Sequence, residues 1–171
     1  VTPEPTKPAV SPTVTYAEAE SVFAARRYGE ATEMFEVVAS RRPENAWGHY
    51  MLGLSAWKDG QNERAEKASL AAIERDSTHV KSRLNLARVL LEGGRATDAL
   101  THVEMALAVD SGSVDGYRLL GRVRGELKEI EPALEACRRA IAHNEKDVWS
   151  MNNMGFLLIR NGRFEEALGP L

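Results

Sequence analysis

The residues of this chain best suited to chemistry are four histidines, His49, His79, His102 and His143, and a single cysteine, Cys137. A metal site needs several such ligands converging at helical or turn spacing. The histidines are scattered instead, and no His-x-x-x-His or His-Glu pair occurs. They read as structural or surface groups, and Cys137 reads as a buried, inert thiol. Two glycine-bearing stretches fail as nucleotide motifs. "EGGRAT" at 92–97 lacks the Gly-Lys-Ser/Thr of a phosphate loop. "GYRLLGRVRG" at 116–125 follows no strand pattern, which excludes a dinucleotide fingerprint. No catalytic constellation emerges, so neither an enzyme nor a cofactor is expected. A formal net charge of -3 argues against a general nucleic-acid or anionic-membrane surface. Gly and Pro interrupt every apolar stretch well before the roughly 20 residues a membrane span needs, so no membrane insertion by this segment is expected.

The elements that must position any site follow from an internal repeat. Met154-Gly155, Leu120-Gly121, Leu86-Ala87, Leu52-Gly53 and Glu18-Ala19 are spaced 34 residues apart. At the same spacing run Ala31, Ala65, Ala99, Ala133 and Ala167, a continuous column of Ala. Further columns read Phe35, Ser69, Val103, Cys137 and Val38, Ala72, Ala106, Ala140. A fixed period with small residues in fixed columns marks a repeat architecture. The units run 12–45, 46–79, 80–113 and 114–147, with a partial fifth at 148–171. Residues 1–12, "VTPEPTKPAVSP", carry four of the seven prolines and read as a disordered tether.

Each unit reads as two helices. First helices are predicted near 14–25, 47–59, 80–92, 114–127 and 148–160. Second helices are predicted near 29–41, 62–75, 96–109 and 130–142. Gly60 is a natural helix stop, Asn62 is the expected cap of the next helix, and Pro132 falls in a first turn. Gly or Ala in the first helix, with Ala in the second, lets two backbones approach where the helices cross.

Period 34, helix–turn–helix, "LG" in the first helix and Ala at unit position 20 resemble the tetratricopeptide repeat (TPR) family across residues 12–171. The resemblance implies an all-α, right-handed superhelix of stacked antiparallel helix pairs, about four and a half repeats long. Three departures are visible. Glu18 stands where Leu is usual, Arg124 where a large apolar residue is usual, and Lys128 where Gly is usual.

In this family the first helices line a concave face that binds partners. Carried onto matching positions, that face comprises Trp47, Tyr50, Met51, Leu54 and Trp57 in the second unit. It continues with Lys81, Asn85, Arg88 and Leu91, then Asp115, Arg118 and Arg122, then Trp149, Asn152, Asn153 and Phe156. All three tryptophans fall at such positions, where exposed aromatics anchor partners or pack on the preceding helix pair. Arg88, Arg118 and Arg122 form a basic strip suited to carboxylates, or pair locally with Glu92, Asp115 and Glu126. The family's clamp for a chaperone C-terminal carboxylate is absent. Asn85 matches its middle Asn, but Tyr50, Leu54, Asp115 and Leu119 replace its other members. Arg118, Arg122 and Asn153 make a looser imitation, while Asn85 and Asn153 have the amides to hold a peptide backbone.

The resemblance implies a non-catalytic interaction scaffold that takes a peptide or helix of a protein partner, with acidic or C-terminal carboxylate groups favoured. Two rival readings stand beside it: a self-associating assembly protein, and a regulatory array of a larger enzyme. The text begins without Met and stops at unit position 24, just after Gly169-Pro170, and reads as a piece of a longer chain. A short last helix is expected, with apolar surface left on Leu157 and Leu158, making this end the stickiest and the site of any homo-oligomer. The Pro-rich tether resembles segments that follow an anchor in bacterial envelope TPR proteins. The compartment stays open between cytoplasm and periplasm.

Overall fold

The computed structural model describes residues 13–169; the tether at 1–12 and the Pro170 expectation lie outside the described residues. Among the described residues there are ten helices and no strand. Packing divides the chain into two compact units at Arg75/Asp76. The first holds α1 (Tyr16–Ala24), α2 (Tyr28–Arg41), α3 (Ala46–Lys58) and α4 (Asn62–Arg75). The second holds α5 (Val80–Glu92), α6 (Ala96–Val109), α7 (Val114–Glu126), α8 (Ile130–His143), α9 (Val148–Arg160) and α10 (Phe164–Ala167). Helix bounds lie close to the expected ones for α1 to α9.

The Ala column is where paired helices meet. Ala31, Ala65, Ala99 and Ala133 are fully buried, and Ala167 nearly so. Across the crossing, a Cβ added to Gly53 would sit 2.8 Å from Ser69 Oγ, and one added to Gly121 would sit 2.9 Å from Cys137 Sγ. Two columns that looked separate in sequence are therefore opposite sides of one contact. Glycine at these two positions lets the helices meet without displacing the facing side chain, and the same register takes Ala at Ala19 and Ala87.

The turn between paired helices repeats as well. Arg26, Gly60, Gly94, Lys128 and Gly162 all have positive φ, from 61° to 78°. Lys128 thus adopts the left-handed conformation its column demands despite its side chain. The turn between pairs is held by an acidic or amide side chain accepting from the backbone N–H two residues on. Asp76 Oδ1 accepts from Thr78 at 2.9 Å, Asp110 from Gly112 at 3.1 Å and Asn144 from Lys146 at 3.1 Å. Such local bonds favour turns over continued helix.

The remaining departures find physical reasons. Glu18 is exposed and closes a capping box: Thr15 N donates to Glu18 Oε2 at 2.8 Å, and Glu18 N donates to Thr15 Oγ1 at 3.3 Å. Its carboxyl is held below the ordinary Glu value by these Thr15 bonds, backbone first. Arg124 is half-buried and bridges Glu104 at 3.0 Å and Glu129 at 2.8 Å. Asn62 is the first residue of α4 rather than its cap. Pro132 is the third residue of α8, where its missing N–H leaves no intrahelical bond unmade.

Leu157 and Leu158 correct an expectation. They are 8% and 3% exposed, packed in a cluster with Ala133, Leu134, Cys137 and Ala167. The side of α9 facing α7 and α8 is already covered, and even the single turn of α10 supplies Ala167 to it. The exposed apolar residues at this end are instead Val148, Trp149, Phe156, Ile159, Phe164 and Leu168.

Candidate functional site

Within the second unit, α5, α7 and α9 are the first helices of successive pairs, and α7 packs on both neighbours. Between them lies a concavity of about 230 Å³. Helix α5 contributes Leu91 and Glu92; α7 contributes Gly121, Arg122, Gly125 and Glu126; α9 contributes Asn153, Phe156, Leu157 and Arg160. Leu91 and Leu157 are buried, whereas Phe156 is 58% exposed. Gly121 and Gly125 bring bare backbone to this wall. A Cβ on Gly125 would come 2.9 Å from Leu157 Cδ2, so the glycine lets α9 close in while adding nothing to the cavity.

Arg122, Asn153 and Phe156 are thus brought together as three sequence-derived groove residues, with Leu91. Arg160 was missed. It lies one turn after Phe156, and its guanidinium stacks over that ring with Cζ 5.4 Å from the centroid. The i, i+4 spacing of an aromatic and an arginine was the available signal. Glu92 was weighed only as a partner for the basic strip, and Glu126 likewise; both line the cavity.

Arg118 is placed differently. Its Nη2 donates to Asp147 Oδ1 at 2.5 Å, and its Nη1 donates to Asp115 Oδ1 at 2.8 Å. Asp147 is buried. Burial works to raise the Asp147 pKa, but the Arg118 guanidinium and Ser150 together outweigh it and hold the carboxyl below its ordinary value. Arg118 therefore ties the start of α7 to the start of α9.

Asn85 is the clearest correction to the surface list: it is fully buried and cannot touch a partner from outside. Nine of the thirteen residues of α5 are buried, on every side of the helix, so the Asn85 position there belongs to the core. On α5 itself Lys81 is exposed and Arg88 half-buried, and on the other first helices of this unit Asp115, Trp149 and Asn152 are exposed. In the first unit, Trp47 is 46% exposed and stands edge-on to Tyr50, with centroids 5.5 Å apart. Leu54 and Trp57 are half-buried, with Lys58 Nζ 4.3 Å from the Trp57 ring centroid; Met51 is buried.

The potentially reactive side chains hold structural posts. His79 Nδ1 caps α5 by accepting from Ser82 N at 3.2 Å, and His49 Nε2 meets the Pro43 carbonyl at 3.0 Å. His143 stacks on Tyr117, with centroids 5.7 Å apart. Burial, with Asp147 adding, pushes the Cys137 thiol up to about 11, which keeps it protonated at neutral pH. Among the described residues no cluster of His, Cys, Asp and Glu could hold a metal ion. Among them also, no helix is long and apolar enough to cross a membrane.

Helix pairs repeating every 34 residues with a small-residue crossing define a TPR array. Tetratricopeptide repeat family models match residues 16–80, 50–115 and 84–147, and a second such model matches 136–169. The chain belongs to the tetratricopeptide repeat family. A search of curated proteins returned no match to this chain. Among solved structures it is similar to MamA from Desulfovibrio magneticus RS-1, at 18% identity and a TM-score of 0.78 over 89% of this chain and 86% of that one. It is also similar to TTC0263, a TPR protein of Thermus thermophilus, at 20% identity and TM-score 0.77 over 89% and 84% of the two chains. A third, YrrB, is described as a TPR protein with an unusual peptide-binding site; it matches at 14% identity and TM-score 0.70, over 90% and 79%. At these identities the likeness is one of fold.

Proposed function

We propose that this chain is a non-catalytic protein-interaction scaffold, and that the α5–α7–α9 face of its second unit takes an extended peptide segment of a partner. The observation that carries the reading is the concavity itself. It lies among three consecutive first helices, has a buried apolar floor at Leu91 and Leu157, and carries polar and aromatic groups at its edge. Such a mixture suits a segment that anchors one apolar side chain and hydrogen-bonds around it. The peptide-binding description of YrrB supports the same use of the fold.

The test is binding of peptides selected from an unbiased library by the intact chain, mapped by amide chemical shifts. Perturbations at Arg122, Asn153, Phe156 and Arg160 are expected. Selected peptides that perturb only other helices would overturn this placement.

A second reading, self-association, is favoured by the exposed apolar residues Val148, Trp149, Phe156, Ile159, Phe164 and Leu168. Sedimentation across a hundredfold concentration range checks it. An unchanged monomer mass removes it, and a rise reversed by Trp149→Ser with Ile159→Ser supports it.

A further inference from the structure

Resting on that reading of the face, we infer that the cavity selects a peptide in which a bulky apolar residue is flanked by an internal aspartate or glutamate. From α7 onward, Arg118, Arg124, Arg138, Arg139 and Arg163 each meet at least one carboxylate of their own chain. Arg122 and Arg160 meet none among the described residues, and these two line the same cavity.

Their settings add to this. Arg160 holds its guanidinium over the exposed Phe156 ring, with Cζ 5.4 Å from the centroid, a contact that restrains the side chain beside the cavity. A planar donor edge matches the two oxygens of a carboxylate. Arg122 is exposed on the neighbouring α7 and shares the cavity wall. Below them, the buried Leu91 and Leu157 give the cavity of about 230 Å³ an apolar floor that suits an apolar side chain. Glu92 and Glu126 also reach the cavity. They disfavour a second acid beside themselves, so the peptide's carboxylate belongs at the arginines and its orientation is set. An apolar insertion with a carboxylate directed to two arginines is therefore the ligand chemistry this wall complements.

The experiment begins with peptides selected from a library of internal nine-residue segments, displayed with both ends joined to carrier. Winners are remade acetylated and amidated, and are measured against the intact chain. The expected winners place Asp or Glu within two positions of Leu, Ile, Met or Phe. Changing that acid to its amide is expected to weaken binding at least tenfold. The same change is expected to make no difference to the Arg122→Gln/Arg160→Gln chain, while Arg122→Lys/Arg160→Lys retains part of the discrimination. Both arginines are exposed, and an unchanged thermal midpoint for the variants verifies the fold.

If peptides map to α7 and α9 but ignore the acid-to-amide change, this inference is overturned and the scaffold reading stands. A requirement for a free C-terminal carboxylate, or equal discrimination by wild type and the Gln variant, also overturns it. If selected peptides map elsewhere, the groove reading falls with it.

Discussion

Asn85 on α5 and Asn153 on α9 stand at the same register of the repeat, two periods apart, yet their surroundings are opposite. Asn85 is fully buried in a helix enclosed on every side. Asn153 is half-exposed at the edge of a cavity, on a helix that buries only Ser150, Gly155, Leu157 and Leu158. The repeat register assigns an address, and neighbouring helices decide whether that address is core or surface. The same contrast runs along α7, where Arg118 is tied to a buried Asp147 and Arg122, one turn later, has no carboxylate partner among the described residues.

The largest expected effect breaks the comparison at the asparagines. Asn85→Asp places an acid in a fully buried site, and it must either stay protonated or remain charged without water. A loss of about 3 kcal/mol is expected. Asn153→Asp, at a wetted edge, is expected to change stability by less than about 0.5 kcal/mol. Denaturant unfolding of the two variants measures the difference directly. Equal losses would show that the two addresses are equivalent after all.

The arginines come next. Arg118→Ala leaves the buried Asp147 carboxylate without its guanidinium, at an expected cost of about 2 kcal/mol near neutral pH. Arg122→Ala is expected to cost almost nothing. The pH dependence carries a sign. In the native chain the Asp147 pKa is depressed, so its contribution is present above the unfolded carboxyl value and is lost as pH falls through the folded one. Without Arg118, Ser150 alone is left to oppose burial, so the Asp147 pKa rises and the acid limb of unfolding moves to higher pH. An acid limb that stays in place would mean the pair does not set it.

Much of this was legible in the sequence because the repeat crossing constrains side-chain volume. Only a small residue fits at Ala99 or Gly121, so the columns survive and can be read off directly. The cavity was only partly legible. Arg122, Asn153 and Phe156 follow from register, but Arg160 matters through its stacking on Phe156, which no column encodes. Asn85 was misplaced because exposure depends on tertiary neighbours, and Glu18 looked anomalous until the Thr15 cap explained it. The Thr-x-x-Glu spacing at 15–18 was available as a signal and belongs to the helix start, not to the repeat.

Within the crossing itself a smaller effect is expected. Ala99→Leu inserts three heavy atoms where the α6 backbone meets its partner helix, at a cost of roughly 1–2 kcal/mol. Ala108→Leu on the exposed side of the same helix is expected to stay within about 0.5 kcal/mol. Thermal midpoints of the pair separate overpacking from any general effect of Leu on α6.

The smallest effect lies in the turns that follow these helices. Gly94 after α5 and Gly162 after α9 take φ of 75° and 73°, as that position requires, whereas Lys128 after α7 takes 63° with a side chain attached. An L-residue in this region has its Cβ close to the following carbonyl oxygen, at a cost of roughly 1–2 kcal/mol per residue. Glycine removes that repulsion but has more unfolded-state freedom to lose, which returns about 0.5–1 kcal/mol of the gain. Lys128→Gly is therefore expected to stabilise by only about 0.5 kcal/mol, while Gly94→Ala destabilises by about 1 kcal/mol. The two changes run in opposite directions at one register, so their signs discriminate more sharply than their sizes. Arg26, at φ 61° in the first unit, gives an independent repetition as Arg26→Gly. If Lys128→Gly lowers the unfolding midpoint while Arg26→Gly raises it, then the Lys128 side chain contributes something its backbone strain conceals. If both lower it, the left-handed turn is not a source of strain in this array.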